Sequence, residues 1–242
     1  MKLADPDIIE ITNLNRMRAT LTDVGSNKAE TLARKVWEID PFADIEVWDK
    51  GIQRNDLTDF LFKKPAIDIF VDEMDDIAMK VAARFACRAA KIPVVMATDN
   101  GDSIIVDIER FDKETKRPIF HGRVKLTQSQ VANMNRSKFI ALSTKIIDPT
   151  YFTGKQQQSI LAIGKELSGI AQIGTAATIA GAALAFVVRR IANGDEMPSG
   201  RYIMGCEPTF IPNYNSASEK KKRKRDTANF LKAMTSPKKS AK

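Results

Sequence analysis

The sequence predicts an α/β protein with a Rossmann-like, doubly wound, mostly parallel sheet. Three observations lead there. Short apolar segments at 66–71 and 94–97 have the length and composition of buried parallel strands. Apolar residues at helical spacing stand between them, most clearly over 77–90. The resulting alternation of strand and helix is that of an open sheet covered on both faces.

The elements follow in order. Residues 3–11 are rich in isoleucine and bounded by turn residues, which predicts a short strand and its exit. A loop carrying Asn13, Asn15 and Arg16 comes next. Over 28–39, Leu32, Ala33, Val36 and Ile39 recur at helical spacing, and Pro41 stops the helix. Residues 44–48 alternate and predict a second strand, and 55–62 a short helix. The strand over 66–71 ends in acids, the helix over 77–90 follows, and 94–97 is again strand. Gly101-Asp102 makes a turn into a strand over 103–111. The stretch 116–168 is less regular, with a helix expected over 125–136. Residues 170–188 run without a charge up to Arg189-Arg190, a length that can span a bilayer. Gln172, Gly174, Gly181 and repeated Ala and Thr make the run only mildly apolar. It is therefore read as a buried helix, and no membrane partner is expected.

Hydrophobic residues make up 43% and charged residues 28% of the 242, enough to bury a real core. The two cysteines, Cys87 and Cys206, lie too far apart in sequence for a disulfide framework or a zinc knuckle. No structural zinc is expected, and with no signal peptide at its start the chain is expected in a reducing, cytoplasmic setting. The net charge of +8 sits at one end: from 219 to 242 there are ten Lys or Arg and two acids, and the remainder balances 28 basic residues against 28 acidic ones. The reading is a domain over 1–214 and a basic, disordered tail over 215–242. Its block Lys220–Arg225 repels itself, is solvated, and can neutralise phosphates of a tRNA, another polyanion or anionic lipid, or serve as a nuclear localisation signal.

The chemistry-bearing residues cluster early. Asp5-Pro6-Asp7 closes the first strand, Thr12-Asn13-Leu14-Asn15-Arg16 forms the loop, and Gly25-Ser26-Asn27-Lys28 opens the helix. An acid at a strand end beside a nucleotide crevice can bond ribose hydroxyls, which makes Asp5 the ribose candidate. Arg16 offers a planar fork for phosphate oxygens, and Asn13 a donor on the same loop. Lys28 in the first helical turn opposes the helix dipole unless an anion binds there. Asp75 follows the strand over 66–71 at its carboxyl end, where a carboxylate can hold Mg²⁺ against a triphosphate.

These pieces, with Ile39-Asp40-Pro41, Asp72-Glu73-Met74-Asp75-Asp76, Gln172-Ile173-Gly174 and Pro198-Ser199-Gly200, resemble in order and spacing the ThiF/MoeB/HesA/ubiquitin-activating superfamily of adenylyltransferases. The resemblance covers about 3–205. It implies binding of ATP and Mg²⁺, with Asp5, Asn13, Arg16 and Lys28 on the nucleotide, Asp75 on the metal, and Arg16, Lys28 and Asp75 in catalysis. It implies activation of a carboxylate as acyl-adenylate, the C-terminal glycine of a ubiquitin-like or sulfur-carrier protein, by an enzyme that is a homodimer. Asp76 departs from the family's Asn. The alternatives are a tRNA-modifying, dehydratase-like member and a non-catalytic partner subunit or scaffold.

Two further departures shape the expectations. No G-x-G-x-x-G occurs in the sequence, and Met1-Lys2-Leu3 resembles the middle of the family's second strand. The first strand and its phosphate loop are thus expected to be missing, as in a fragment, an internal-start reading or half of a split protein. The region 116–168 also lacks the cysteine of thiol-transferring members. Cys206 is the candidate reactive thiol, Cys87 inert core, and His121 a surface or turn residue.

Overall fold

The computed structural model describes residues 1–125, 127, 130, 142, 144–167 and 169–235. Strand β1 (Lys2–Ala4) pairs in parallel with β2 (Glu46–Trp48), and the helix α1 (Lys28–Trp37) makes the crossover between them. A second sheet has the order β3-β4-β5-β6, from β3 (Phe70–Val71), β4 (Val94–Asp99), β5 (Ser103–Glu109) and β6 (Gly200–Gly205). β3 and β4 run parallel, joined through α3 (Ile77–Ala90), whereas β4, β5 and β6 pair antiparallel. A parallel pair requires such a crossover, and a tight turn suffices for an antiparallel one. Gly101 supplies that turn between β4 and β5 with φ of 72°, and a Cβ there would lie 2.2 Å from Thr153 Oγ1. The architecture is Rossmann-like α/β.

The second sheet is covered on both faces, and β4 shows how. Val94 and Met96 join a core with α3 and α2 (Leu57–Phe62), while Val95 and Ala97 point the other way. This two-residue alternation is what a strand imposes on its side chains. Ala4 and Trp48 of the first sheet pack against the α3-side core, so both sheets share it.

On the opposite face lies α5 (Gly174–Ala192), preceded in the chain by α4 (Gly154–Ala162). Ala176, Ala180, Leu184, Val187 and Ile191 are buried at helical spacing against β4 and β5. The expectation of a buried helix needs correction: Phe186 and its neighbours on the outer face are exposed, because a single sheet can cover only one side of a helix. Its length and hydropathy alone would allow a membrane crossing.

The tail also differs from the expectation. After α6 (Glu207–Phe210), residues Ala217–Thr235 form a helix, α7. Phe230 is buried, its ring centroid 6.0 Å from that of Phe152, and Gln157 Nε2 donates to Thr227 Oγ1 at 3.0 Å. The less exposed positions 219, 223, 226, 227 and 230 recur at helical spacing, so an amphipathic pattern lies inside the charged run. The helix expected over 125–136 falls outside the described residues except for Lys125, Thr127 and Gln130.

Candidate functional site

The carboxyl ends of three strands meet the residues that the sequence singles out. At the end of β1, Asp5 Oδ1 accepts from Asp7 N at 2.9 Å. Asn27 ties this turn to its surroundings: its Nδ2 donates to Asp5 O at 2.9 Å and to Asp49 O at 3.0 Å. Its Oδ1 caps α1 by accepting Glu30 N at 3.0 Å. One side chain thus fixes the exits of β1 and β2 to the start of α1. Lys28 is the first residue of that helix, and its Nζ lies 2.8 Å from Asp7 Oδ2.

The Asn13–Arg16 loop is held from within. Asn13 is buried and its Oδ1 accepts Glu10 N at 3.0 Å. Arg16 Nη1 donates to Thr12 O at 2.8 Å and Asn15 Oδ1 at 3.0 Å, and Asn15 Nδ2 donates to Gln172 O at 2.8 Å. The start of α5 is pressed against this loop. A Cβ on Gly174 would meet Asn15 O at 2.5 Å, so the position takes only glycine. Arg16 also acts on Asp99, the last residue of β4: burial raises that carboxyl above its usual range and the guanidinium pulls it back.

At the end of β3 the acids divide their work. Asp76 caps α3, its Oδ1 accepting Ala78 N at 2.8 Å and Met79 N at 3.1 Å. Glu73 Oε1 accepts Ala97 N at 2.9 Å, extending the β3–β4 ladder by one side chain. Asp72 is fully buried and binds Lys80 Nζ at 3.1 Å and the Arg84 guanidinium. Arg84 Nε donates to Glu109 Oε2 at 2.6 Å, and the other oxygen of Glu109 accepts Phe120 N at 2.6 Å. Asp75 is left exposed, with no hydrogen bond or ion pair among the described residues.

Asp5, Lys28 and Asp75 are electrostatically coupled. Burial raises the Asp5 carboxyl, the bond from Asp7 N and the charge of Lys28 lower it, and the charges of Asp7 and Asp75 raise it again. A cation between Asp5 and Asp75 would relieve the last of these. No group of three or more potential metal ligands occurs among the described residues. A single exposed carboxylate such as Asp75 is compatible with Mg²⁺, which takes one or two carboxylates and completes its shell with substrate phosphates and water, rather than with a metal that needs an all-protein cage.

Several residues that support the site have no functional signal in the sequence. Asn27 stands before a helix, where an Asn reads only as a cap. Lys80 and Arg84 stand four apart on a helix that also carries Arg88, and they bind Asp72 and Glu109, partners that only the fold brings to them. Asn100, just past β4, is fully buried with neither amide atom partnered among the described residues. His121, expected as a surface or turn residue, lies in the turn Ile119–Gly122 with φ of 56°, but its side chain is largely buried. Its Nε2 lies 2.8 Å from Asp107 Oδ1 and its Nδ1 2.9 Å from Arg117 Nη2. Arg only donates, so Nδ1 accepts and Nε2–H donates. Arg201 closes the group by binding Asp107 twice at 2.7 Å. Both ring nitrogens are committed, which leaves no base. Cys87 is buried and its thiol is pushed up to about 12 by burial, as inert core requires. Cys206 is partly exposed directly after β6, and its backbone N donates to Asp102 O at 3.1 Å, in the turn that follows Asp99 of β4.

Comparison with known proteins adds to this geometry. The family model described as ThiF family matches residues 1–229. The uncharacterized protein MT1398 of Mycobacterium tuberculosis is 33% identical over 209 residues, which is 83% of this chain and 28% of that protein. The tRNA threonylcarbamoyladenosine dehydratase of Escherichia coli is 30% identical over 103 residues, 42% of this chain and 38% of the enzyme. The chain therefore spans well under half the length of these curated relatives. Among solved structures, that of E. coli MccB with ATP has the same fold, with a TM-score of 0.51 at 18% identity, covering 84% of this chain and 55% of MccB.

Proposed function

The chain belongs to the ThiF family, and from that membership we propose that its strand-end site, when joined to a glycine-rich phosphate loop of the kind absent from this sequence, binds ATP with Mg²⁺ and activates a carboxylate as its acyl-adenylate. The observation that carries this reading is the meeting of Asp5, Lys28 and Asp75, with Arg16 beside Asp99, at the carboxyl ends of β1, β3 and β4. Open α/β sheets bind their ligands at that edge. MccB, which shares the fold, is known with ATP.

Each residue has a role that its surroundings support. Asp5, half-buried and held by Asp7 N, accepts from ribose hydroxyls. Asp75 is an open acceptor for the metal, which when bound supplies charge neutralisation along the triphosphate. Arg16 and Lys28 stabilise charge that develops as a carboxylate oxygen attacks the α-phosphorus and pyrophosphate leaves. For this, Lys28 exchanges its bond to Asp7 for one to phosphate. Asn13, bonded within its own loop, serves mainly by holding Arg16 in place. The acceptor in this reading is the C-terminal glycine of a ubiquitin-like or sulfur-carrier protein, in a reducing cytoplasm and in a homodimer. A second reading, a carboxylate on modified tRNA, is favoured by the 30% identity to the tRNA dehydratase.

The test is ATP–pyrophosphate exchange with a panel of carboxylate acceptors, alongside ATP binding by calorimetry. Asp75→Asn is expected to lower exchange about a hundredfold, as loss of about 3 kcal/mol of transition-state stabilisation requires. Arg16→Ala and Lys28→Ala should each lower it strongly. Asp5→Ala should mainly weaken ATP binding, because ribose contacts are alike in ground and transition states. Wild-type exchange in Asp75→Asn would overturn the metal assignment.

A further inference from the structure

The helix α7 carries charge that the strand-end site does not use. Its inner face is anchored by Phe230 on Phe152, by Thr227 on Gln157 and by Arg223, whose guanidinium lies 3.7 Å from the Tyr214 ring centroid. Both of its acids, Glu219 and Asp226, lie on this less exposed side. At 100° per residue, Lys221, Lys224 and Arg225 project within about 60° of the direction opposite Phe230, and Lys220 and Lys222 stand about 100° from it, one on each side of the helix. All five are exposed. Among the described residues no ion pair reaches Lys220, Lys221, Lys222 or Lys224, and Arg225 has only Asp226, at 3.5 Å.

The structure assigns this outer face of α7 as a binding surface for duplex nucleic acid, read through its phosphates. The partner must be a polyanion, because five cations crowd within about 8 Å of helix rise with no acid among them. A docked helix adds what a flexible tail lacks: the charges stand at fixed spacing, so less freedom is lost on binding. A single strand is not the fit, since single-strand sites stack bases on aromatic side chains and the outer face has none. Its only aromatic, Phe230, points inward. A lipid surface is not the fit either. An interfacial helix turns its apolar face to the membrane, and here that face is occupied by α4. With no side chain shaped to read base edges, recognition is independent of sequence and common to duplex RNA and duplex DNA.

The experiment is fluorescence anisotropy of the full chain with labelled 20-base-pair duplexes of mixed sequence, one RNA and one DNA, over a KCl series. Binding to duplex is expected to weaken steeply with salt, with a log–log slope of about −3 to −5 for four or five neutralised phosphates. The variant Lys220→Ala/Lys221→Ala/Lys222→Ala/Lys224→Ala should lose at least about tenfold in affinity at low salt and flatten that slope. These are exposed helix positions and alanine favours a helix, so the variant should keep its helical circular dichroism. Replacing Lys238, Lys239 and Lys242 together by Ala should cost much less. Absence of duplex binding, a salt-independent affinity, an unchanged quadruple variant, a larger loss from the three terminal lysines, or tighter binding to phosphatidylserine vesicles or to single strands than to duplex would each overturn the assignment.

Discussion

Two groups of charged residues, a buried lower one and a more exposed upper one, meet the loop that follows β3, and they differ in completeness. The lower group, Asp72, Lys80, Arg84 and Glu109, is buried and closed: each carboxylate there meets a cation, and Glu109 also takes a backbone N–H. The upper group, Asp5, Lys28, Asp75 and Arg16, is more exposed and open: Asp75 has no partner among the described residues, and Lys28 holds one exposed carboxylate. Burial makes an unpaired charge very costly, so the lower group can only be structural. At the surface an unpaired charge costs little, so the upper group can wait for a ligand. Asp72 anchors the start of the loop 72–76 in the lower group and Asp76 anchors its end on α3, and Asp75 between them stays exposed.

The most demanding test of this contrast is Arg84→Ala. It would leave Asp72 and Glu109 as buried carboxylates short of a partner, a change that costs about 3–5 kcal/mol. For a chain of this size that is a fall of about 10 °C in melting temperature. Arg84→Met, which keeps the volume, should lose less if Asp72→Asn, Glu109→Gln and Lys80→Met are made with it, since a whole buried ion group can be replaced by neutral side chains at little cost, whereas a lone Lys80 would be left without its partner. Differential scanning calorimetry checks both. A shift under about 2 °C for Arg84→Ala would place the group outside the structural class.

A smaller change probes the boundary between the two groups. Asn27→Ala removes the cap of α1 and the two bonds that hold Asp5 O and Asp49 O. The cap alone is worth about 1–2 kcal/mol. Stability should fall by that amount and ATP affinity with it, because Asp5 and Lys28 lose their common anchor. Asp75→Asn should show the reverse pattern, with exchange lost and the melting curve kept. If Asn27→Ala melts lower yet binds ATP as the wild type, the upper group does not depend on its scaffold.

What could be read in advance follows the same division. α3 was legible to the residue, because Ile77–Ala90 carries an apolar periodicity and Asp76 stands before it as a cap. β4 was legible as a compact apolar run, whereas of the strand expected over 66–71 only Phe70–Val71 pairs in the sheet. β6 was not: Gly200–Gly205 is an edge strand with Tyr202, Ile203 and Met204 half-exposed, so neither alternation nor a hydrophobic run marks it. α7 was hidden because its composition is dominated by lysine, and its anchoring depends on Phe152, far away in sequence. Of the site, Asp5, Lys28 and Asp75 come from strand ends and a helix start, positions a sequence can show. The closed group beneath them is tertiary: Arg84 finds Glu109 across 25 positions, and no local pattern carries that pairing.

The smallest expected effect lies between two neighbours, Asp72 and Glu73, whose surroundings shift them in opposite directions. Burial pushes the Asp72 carboxyl up, but the charges of Arg84 and Lys80 outweigh it and hold the group below 3.8. Its contribution to stability is therefore present above that pH and is lost as pH falls below it. Glu73 is raised from 4.5 to about 7, chiefly by desolvation, with the bond from Ala97 N only partly opposing this. A raised acid stabilises the fold while protonated, so its contribution is complete below 4.5 and fades as pH rises through about 7. Glu73 is nevertheless an exposed residue outside its carboxylate tip, and solvent screens much of the effect. Glu73→Gln should thus remove a decline of at most about 1 kcal/mol between these two pH values and leave the acid limb set by Asp72 unchanged. Urea titrations at pH 4.5, 6 and 7.5 measure it. A wild-type protein that becomes more stable across that window, with no difference in the variant, would show that Glu73 is already ionised and solvated, as an exposed carboxylate is.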